Sequence, residues 1–163
     1  MTTYAEEIGI LLLDRGLTVG SVESATGGLI AHTFTNVPGS SYFYKGSIVA
    51  YSNEMKTNLV GVKPETIEKY GAVSSSVAEE MAAGGRRVLG VDICLSDTGV
   101  AGPTAGTAQK PVGTFFIGLS YHGGTYSREC LFKGDRIMNK QSAADEAVCW
   151  LKDFLTGTWA PGL

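Results

Sequence analysis

The sequence has few residues of the types that usually hold a metal ion or form disulfides. It contains three cysteines and two histidines in 163 residues. Cys94, Cys130 and Cys149 are far apart and show no CxxC spacing, so neither a zinc site nor a disulfide framework is predicted. We expect buried, inert thiols in a reducing cytoplasm. The histidines, His32 and His122, are isolated, which argues against a metal cluster and against a Ser-His-Asp triad.

Long apolar runs and an excess of positive charge are also missing. No run approaches the roughly 20 apolar residues that a membrane span needs. Residues 1–16 carry early acids and no basic segment, unlike a signal peptide. Charged residues make up 18% and the net charge is −3, so the chain has no electrostatic footprint for nucleic acid. The expected protein is cytoplasmic and binds neither membranes nor nucleic acid.

Glycine, by contrast, is abundant. There are 22 glycines in 163 residues, about twice the usual share of ~7%, and they fall at the ends of periodic segments. Chains with many tight turns and ligand-binding loops have this distribution. Hydrophobic residues make up 44%, which is enough for a core. Residues 1–163 are therefore predicted to form one domain, without repeats or linkers.

Hydrophobic periodicity predicts strands that alternate with helices, followed by a hairpin and a last helix. The predicted strands cover residues 17–23, 46–51, 91–99, 113–121 and 125–132, and the predicted helices cover 3–15, 28–36, 52–60, a short helix from Pro64, a helix within 74–90 and one from 135. Predicted caps are Thr3 with Glu6, Ser52, Ser76 with Glu79, and Asp135. The apolar face of the last helix is predicted to hold Ile137, Ala144, Val148, Leu151 and Leu155. The fold class is α/β: a three-layer α/β/α sandwich with a mixed, largely parallel sheet and a C-terminal β-hairpin plus helix.

Two polar segments lie where predicted strands end. Residues 23–28, ESATGG, precede a helix, so their backbone N–H groups would suit a phosphate group, although an ordinary capped helix start has the same pattern. Residues 96–103, SDTGVAGP, follow a buried strand and open a long glycine-rich loop, where ligands bind in open α/β sheets. No Walker motif follows. Asp97 is either a ligand contact or a turn residue, and Arg136 is either a phosphate partner or a surface charge.

Two further segments surround the second strand. Residues 38–41, PGSS, are typical of a turn, or one of the serines is a substrate ligand or nucleophile. Residues 50–56, AYSNEMK, place Lys56 in the first turn of a helix, where the dipole disfavours a cation. The plainer interpretation is an exposed lysine. The alternative is a partly buried lysine with a lowered pKa that acts as a base.

In this order, the segments resemble one known family. ESATGG, PGSSYFYKGSIVAYSNEMK, GVKPETIEKYGAVS, DTGVAGP, KPVGT and FKGDR are similar to motifs of the CinA C-terminal-domain family, whose characterised enzymes are nicotinamide-nucleotide amidohydrolases. The resemblance covers about residues 5–155. It implies a three-layer α/β/α domain that self-associates as a homo-oligomer, a dimer or larger. It also implies a standalone form, because no residues remain for the other domain of full-length CinA proteins.

The resemblance implies an activity and a set of site residues. The expected reaction is hydrolysis of the carboxamide of nicotinamide mononucleotide, a small-molecule substrate, to nicotinate mononucleotide and ammonia, in pyridine nucleotide recycling and with no metal or other cofactor. By resemblance, the catalytic group maps onto Ser41, Tyr51 and Lys56. The substrate-binding positions map onto Ser24, Thr26, Gly27, Gly28, Thr98, Gly99, Gly102 and Arg136.

The mechanism expected on this basis centres on Lys56. With a lowered pKa, and held by Tyr51, it would activate either Ser41 or a water molecule for attack on the amide carbon. Backbone N–H groups, together with Thr98, would stabilise the oxyanion. Arg136 or the glycine loops would hold the 5′-phosphate.

Two departures from the family pattern leave alternatives open. Ala25 occupies the cysteine position of the usual ESCTGG, which excludes cysteine catalysis there, and the loop GPTAGTAQKPVG lacks the fuller glycine run. One alternative is a catalytically inactive nucleotide-binding module of the same family. Another is an amidase that uses Cys94, Cys130 or Cys149 as its nucleophile, which ranks low because these thiols lie within predicted strands and a helix.

Overall fold

Helices and strands follow one another in the order that the sequence predicts, and the computed structural model describes them over residues 2–161. In chain order they are α1 (Tyr4–Arg15), β1 (Val19–Glu23), α2 (Leu29–Thr35), β2 (Tyr44–Val49), α3 (Asn53–Val60), α4 (Pro64–Tyr70), α5 (Ser75–Leu89), β3 (Ile93–Gly99), β4 (Thr114–Tyr121), β5 (Gly124–Leu131) and α6 (Arg136–Thr156). A short 3₁₀ turn, Ser40–Tyr42, precedes β2. Over this part of the chain, no helix is both long and apolar enough to cross a membrane.

The strands form one mixed sheet in the order β2-β1-β3-β4-β5. β1 pairs parallel with both β2 and β3, whereas β4 pairs antiparallel with β3 and β5. The predicted mixed sheet and C-terminal hairpin are confirmed. Because β1, β2 and β3 run in the same direction, the loops that follow them meet at one edge of the sheet, which we call the carboxyl edge. Ligands of open α/β sheets bind at this edge.

Helices cover both faces of the sheet and complete the predicted three layers. α1, α2 and α6 pack on one face, over a core that includes Phe34, Phe115 and Trp150. α3, α4 and α5 lie on the other side, where Val22 and Met81 are buried. Burial of apolar side chains on both faces explains why β1 and β3 read as almost continuous buried runs rather than as alternating ones.

Side-chain caps explain where several helices begin. Thr3 and Glu6 form the predicted capping box, in which the Thr3 hydroxyl accepts from the Glu6 N–H at 3.2 Å and the Glu6 carboxylate accepts from the Thr3 N–H at 2.6 Å. Ser52 caps α3 and Asp135 caps α6, both as predicted. These contacts satisfy backbone donors that have no partner within the helix.

Two predictions about helix ends are wrong. Ser74, not Ser76, caps α5, because the Ser74 hydroxyl accepts from the N–H of Val77 at 3.3 Å and the helix therefore starts earlier. Ile137 does not belong to the apolar face of α6, since its side chain is 78% exposed. The first buried residue of α6 is Asn139, so this helix begins before it meets the core.

Gly84 allows close packing between α5 and the end of α3. A Cβ atom added there would lie 1.8 Å from the carbonyl oxygen of Val60. Helix propensity alone predicts that Gly84→Ala stabilises the protein by about 1 kcal/mol, but overpacking costs about 1–3 kcal/mol or more. We expect a net loss in the free energy of unfolding, measured by urea denaturation. Ala83→Gly, a control for propensity alone, should cost about 1 kcal/mol, and a Gly84→Ala protein as stable as the wild type would contradict the packing.

Candidate active site

A cavity of about 440 Å³ opens at the carboxyl edge. Its walls are the loops that follow β1, β2, β3 and α4, and the first turns of α3 and α6. It is lined by Ser24, Ala25, Tyr51, Asn53, Lys56, Ala72, Val73, Thr98, Gly99, Val100, Ala101, Gly102, Thr104, Ala105 and Arg136. The volume falls in the usual range of small-molecule sites. Both charged residues of the lining, Lys56 and Arg136, are basic, so the cavity suits an anionic ligand.

Lys56 enters this cavity from a buried position. The residue is only 2% exposed, and its Nζ donates to the Ser24 hydroxyl at 2.9 Å and to the backbone carbonyl of Tyr51 at 3.1 Å. Burial lowers the pKa of Lys56, while the negative charge of Asp97 acts in the opposite direction. The sequence-based hypothesis of a partly buried lysine with a lowered pKa therefore agrees with the structure.

Tyr51 holds Lys56 through its backbone and not through its phenol. The Tyr51 side chain is 64% exposed at the mouth of the cavity, and its hydroxyl accepts a hydrogen bond from Arg136 at 3.4 Å. Arg136 also donates to the carbonyl of Gly102 at 2.7 Å. The prediction that Tyr51 holds Lys56 is thus corrected in one respect. The backbone carbonyl of Tyr51 makes that contact, and its phenol instead contacts the guanidinium of Arg136 at the cavity mouth.

Asp97 holds the backbone of the loop that carries Ser24. Its carboxylate is fully buried and accepts from the N–H of Ser24 at 3.0 Å and from the N–H of Thr26 at 3.1 Å. The Thr26 hydroxyl lies 2.5 Å from the same carboxylate. Asp97 is therefore neither a turn residue nor a lining residue of the cavity.

Glu23, also fully buried, occupies the backbone donors at the start of α2. Its carboxylate accepts from the N–H groups of Gly28, Ile30 and Ala31 at 3.1, 2.8 and 3.0 Å. Gly27 and Gly28 have positive φ angles of 60° and 107°, which let the chain turn closely around this side chain. Of the N–H groups that the sequence suggested for a phosphate group, those of Ser24, Thr26 and Gly28 are thus engaged by the protein's own carboxylates, and that expectation is corrected.

The end of β3 and the loop after it bring Thr98, Gly99 and Gly102 to the cavity wall. The Thr98 hydroxyl donates to the carbonyl of Ala72 at 2.8 Å. A hydroxyl has one proton, so Thr98 in this arrangement has none to give to an oxyanion. Its oxygen can still accept a hydrogen bond, for example from a carboxamide N–H₂ group.

Ser41 lies at the opposite edge of the sheet from Lys56. It belongs to the 3₁₀ turn before β2, and Tyr44, the first residue of β2, pairs with Val19 at the start of β1. Tyr51 comes after the other end of the same strand. A strand of six residues, at about 3.3 Å per residue, separates Ser41 from Tyr51 by roughly 20 Å. The predicted grouping of Ser41 with Tyr51 and Lys56 therefore does not form within one chain.

The cysteines give no support to a thiol nucleophile. Cys94, Cys130 and Cys149 lie in β3, β5 and α6, outside the lining of this cavity. Burial raises the pKa of all three thiols, that of Cys130 to about 11, which disfavours the reactive thiolate. Over residues 2–161, the structure places no group of three or more His, Cys, Asp or Glu side chains where they could hold a metal ion.

A larger cleft of about 600 Å³ lies between α1, α2 and α6, away from the carboxyl edge. Its lining includes Glu6, His32 and Asp145, but neither lysine nor arginine. It therefore offers no pair comparable to the hydroxyl of Ser24 and the amine of Lys56. We place the candidate active site in the smaller cavity because the groups that can do chemistry converge there.

Sequence reasoning did not identify Ser24 as the hydrogen-bond partner of Lys56. It also did not identify the buried carboxylates of Glu23 and Asp97 as groups that shape the site. The family resemblance implies only a substrate-binding role for Ser24, the sequence leaves the role of Asp97 open, and no motif singles out Glu23. A signal was present, since an acid inside a buried strand must find donors, and the neighbouring glycine-rich loop offers several backbone N–H groups.

Comparisons with known sequences identify relatives along most of the chain. The family described as the CinA C-terminal domain matches residues 1–155. A protein from Halothermothrix orenii is 47% identical over 155 residues, which are 94% of this chain and 38% of the relative. A CinA-like protein from Chloroherpeton thalassium is 44% identical over 158 residues, 94% of this chain and 37% of the relative. The chain thus spans less than two fifths of the length of these curated relatives.

Solved structures share the whole architecture. A competence-damaged protein (CinA) superfamily protein from Klebsiella pneumoniae has a TM-score of 0.91 at 29% identity, covering 96% of this chain and 97% of that chain. A competence or damage-inducible protein from Enterobacter asburiae has a TM-score of 0.90 at 32% identity, covering 93% and 96%. These similarities confirm the predicted fold.

Proposed function

Because the chain belongs to the family of CinA C-terminal domains, we propose that it hydrolyses the carboxamide of nicotinamide mononucleotide to nicotinate mononucleotide and ammonia, with Ser24 as nucleophile. The observation that carries the proposal is the 2.9 Å hydrogen bond between the buried amine of Lys56 and the Ser24 hydroxyl. A hydroxyl next to an amine of lowered pKa is a nucleophile with its general base. Family resemblance suggests the substrate, and geometry suggests the chemistry.

The first half of the proposed reaction forms an ester on Ser24. Neutral Lys56 takes the hydroxyl proton as the Ser24 oxygen attacks the amide carbon. The ammonium of Lys56 then gives that proton to the amide nitrogen, the C–N bond breaks and ammonia leaves. In the second half, water attacks the ester carbon, Lys56 accepts a proton from the water, and the bond to Ser24 breaks as its oxygen regains a proton. The sum is carboxamide plus water to carboxylic acid plus ammonia.

The backbone N–H of Ala25 is the proposed donor to the oxyanion. Ala25 follows the nucleophile and lines the cavity, and the N–H after a nucleophilic serine has this role in other hydrolases. The N–H groups on either side, of Ser24 and Thr26, are fixed by Asp97. Such fixation would hold the Ala25 peptide in place before the reaction, which is what electrostatic stabilisation of a transition state requires.

Arg136 is the proposed partner of the substrate phosphate. A guanidinium has five N–H donors, and the contacts to Gly102 and Tyr51 engage two of them. The remaining donors, at the mouth of the cavity, can bind phosphate oxygens. Apolar side chains of the lining, such as Val73, would give the pyridine ring a surface to pack against.

Ammonia release is the direct test of this proposal. We expect the wild type to release ammonia from nicotinamide mononucleotide, with a KM about 10–100-fold lower than for nicotinamide riboside, because a charged hydrogen bond contributes about 1.5–3 kcal/mol. Arg136→Ala should remove most of this preference for the phosphorylated substrate. Arg15→Ala, an exposed arginine at the end of α1, should leave it unchanged.

Two outcomes would replace the proposal by another function. Binding of nicotinamide mononucleotide without ammonia release would indicate a non-catalytic nucleotide-binding module. Loss of release in a folded Cys94→Ser/Cys130→Ser/Cys149→Ser variant would instead assign the chemistry to a thiol.

A further inference from the structure

We propose that Asp97 is a positioning residue for the reacting pair: it holds the backbone on both sides of the Ser24 hydroxyl, and its charge acts on the amine of Lys56. This inference rests on the proposed function, because it concerns the same two groups. Asp97 does not line the cavity, so it would act through other residues and not through contact with substrate.

The sheet fixes the position of the Asp97 carboxylate. Asp97 lies within β3 and pairs with Ile117 of β4, while the preceding residue, Ser96, pairs with Val22 of β1. An aspartate side chain has a single methylene group, so it can move little relative to its strand. Because its carboxylate accepts two N–H groups of the Ser24 loop, that loop takes its position from the centre of the sheet.

Thr26 links the two buried carboxylates. Its hydroxyl oxygen is 2.7 Å from Glu23 and 2.5 Å from Asp97, but a hydroxyl has only one proton to donate. The second short contact is satisfied when a carboxyl carries a proton. Burial raises the pKa of Asp97 to about 6, with the hydrogen bonds from Thr26 and Ser24 acting in the opposite direction. Thr26 thus ties the position of the Asp97 carboxylate to that of Glu23.

Each charged group described near Asp97 belongs to a defined element, so the effect of the Asp97 charge on the pKa of Lys56 can be separated from other effects. Glu23 acts on Asp97 from the end of β1, and the charge of Asp97 acts on Lys56, which lies in α3. From α6, Lys140 lies against the exposed Gly27. From α5, the contact with β3 is uncharged, between the carbonyl of Ala78 and the Ser96 hydroxyl. The negative charge of Asp97 raises the pKa of Lys56 against the larger effect of burial, so its removal should ease deprotonation of the amine.

The test compares Asp97→Asn with the wild type over a range of pH. The amide of asparagine keeps one acceptor oxygen but opposes the other backbone N–H with a donor, so the Ser24 loop should shift. The expected fall in kcat is about 10²-fold, the size expected when a reacting group is misplaced by about 1 Å, with KM changed only a few-fold. The acid limb of the kcat profile, which reports deprotonation of Lys56, should move to lower pH. A merely structural role would lower kcat without moving this limb.

A second measurement does not depend on turnover. The ¹³Cε signal of Lys56, assigned by its loss in Lys56→Met, can be titrated by NMR in the wild type and in Asp97→Asn, and we expect a lower pKa in the variant. Asp92→Asn is the matched control, since Asp92 accepts the N–H and hydroxyl of Thr18 near the other end of β3, at 2.8 and 2.9 Å. It should change neither the acid limb nor the titration.

The outcomes separate this inference from the proposed function. A wild type that releases no ammonia would end the proposed function, yet the NMR titration would still decide whether Asp97 acts on Lys56. An unchanged or raised Lys56 pKa in Asp97→Asn would overturn the inference. If Asp97→Asn does not fold, Asp97→Glu, which keeps the charge but displaces the carboxylate, should lower kcat with the limb unmoved. A wild-type kcat in that variant would overturn the positioning role.

Discussion

Replacing Ser24 with alanine is expected to lower kcat for ammonia release at least about 10⁴-fold, as loss of the nucleophile does in serine hydrolases. The substitution removes the oxygen that lies 2.9 Å from the amine of Lys56 and changes little else, so KM should stay within a few-fold. Lys56→Met should cost about as much, and the double variant no more than either, because the two groups act as one unit. Steady-state kinetics at saturating substrate measures all three.

Ser41→Ala is the matched control, since it makes the same change in a serine at the opposite edge of the sheet. We expect its kcat to stay within a few-fold of the wild type. Mass spectrometry after rapid acid quench should show the ester on Ser24 in the wild type. A large loss in Ser41→Ala, with Ser24→Ala still active, would contradict the assignment, because Ser41 could then reach the site only from a second copy of the chain.

Local sequence signals predicted most of the fold because helix caps and apolar runs are visible within a few residues. The capping box of Thr3 and Glu6 joins residues three positions apart, and the apolar run at residues 91–99 indicates a buried strand before its partner strands are known. The cap of α5 was missed for the same reason, since consecutive serines, Ser74 and Ser76 among them, offer competing caps. Tertiary packing decides which serine caps the helix, and the spacing of the serines in the sequence carries no information about that packing.

The active-site pair was harder to predict because it depends on the register of the sheet. Ser41 is closer to Lys56 in sequence than Ser24 is, but β2 runs between Ser41 and the site and carries the chain from one edge to the other. Ser24 follows β1, which runs parallel to β2 and ends at the same edge. Tyr51, Lys56, Thr98 and Arg136 line the same cavity, and only the three-dimensional arrangement separates Ser41 from them.

The phosphate expectation for residues 23–28 failed for a related reason. A glycine-rich helix start suits an anion, and here it does hold anionic groups, but these are the side chains of Glu23 and Asp97. The two carboxylates come from adjacent strands of the sheet. Internal anions thus fix the loop shape, and Arg136 at the cavity mouth is the group that we propose for the substrate's charge.

Replacing Glu23 with alanine is expected to remove most of the free energy of unfolding. The change deprives the N–H groups of Gly28, Ile30 and Ala31 of their acceptor, along with hydroxyl donors such as that of Ser47, at 2.9 Å. Each buried donor left without a partner costs about 1–3 kcal/mol. The three amides alone would therefore cost about 3–9 kcal/mol, which compares with the about 5–15 kcal/mol that stabilises a typical domain. Urea denaturation followed by circular dichroism measures the loss.

Glu23→Gln keeps the prediction testable if the alanine variant does not fold. The remaining oxygen can still serve Gly28 and Ile30, while the new amide group would face the N–H of Ala31 with a second donor. Hydroxyls such as that of Ser47 can rotate and accept a hydrogen bond from the new amide group. Only the N–H of Ala31 then faces another donor, so the loss in the free energy of unfolding should be about 1–3 kcal/mol. Glu129→Ala, at an exposed position of β5, should stay within about 0.5 kcal/mol of the wild type. A Glu23→Gln protein as stable as that control would show that water, and not the carboxylate, can satisfy the start of α2.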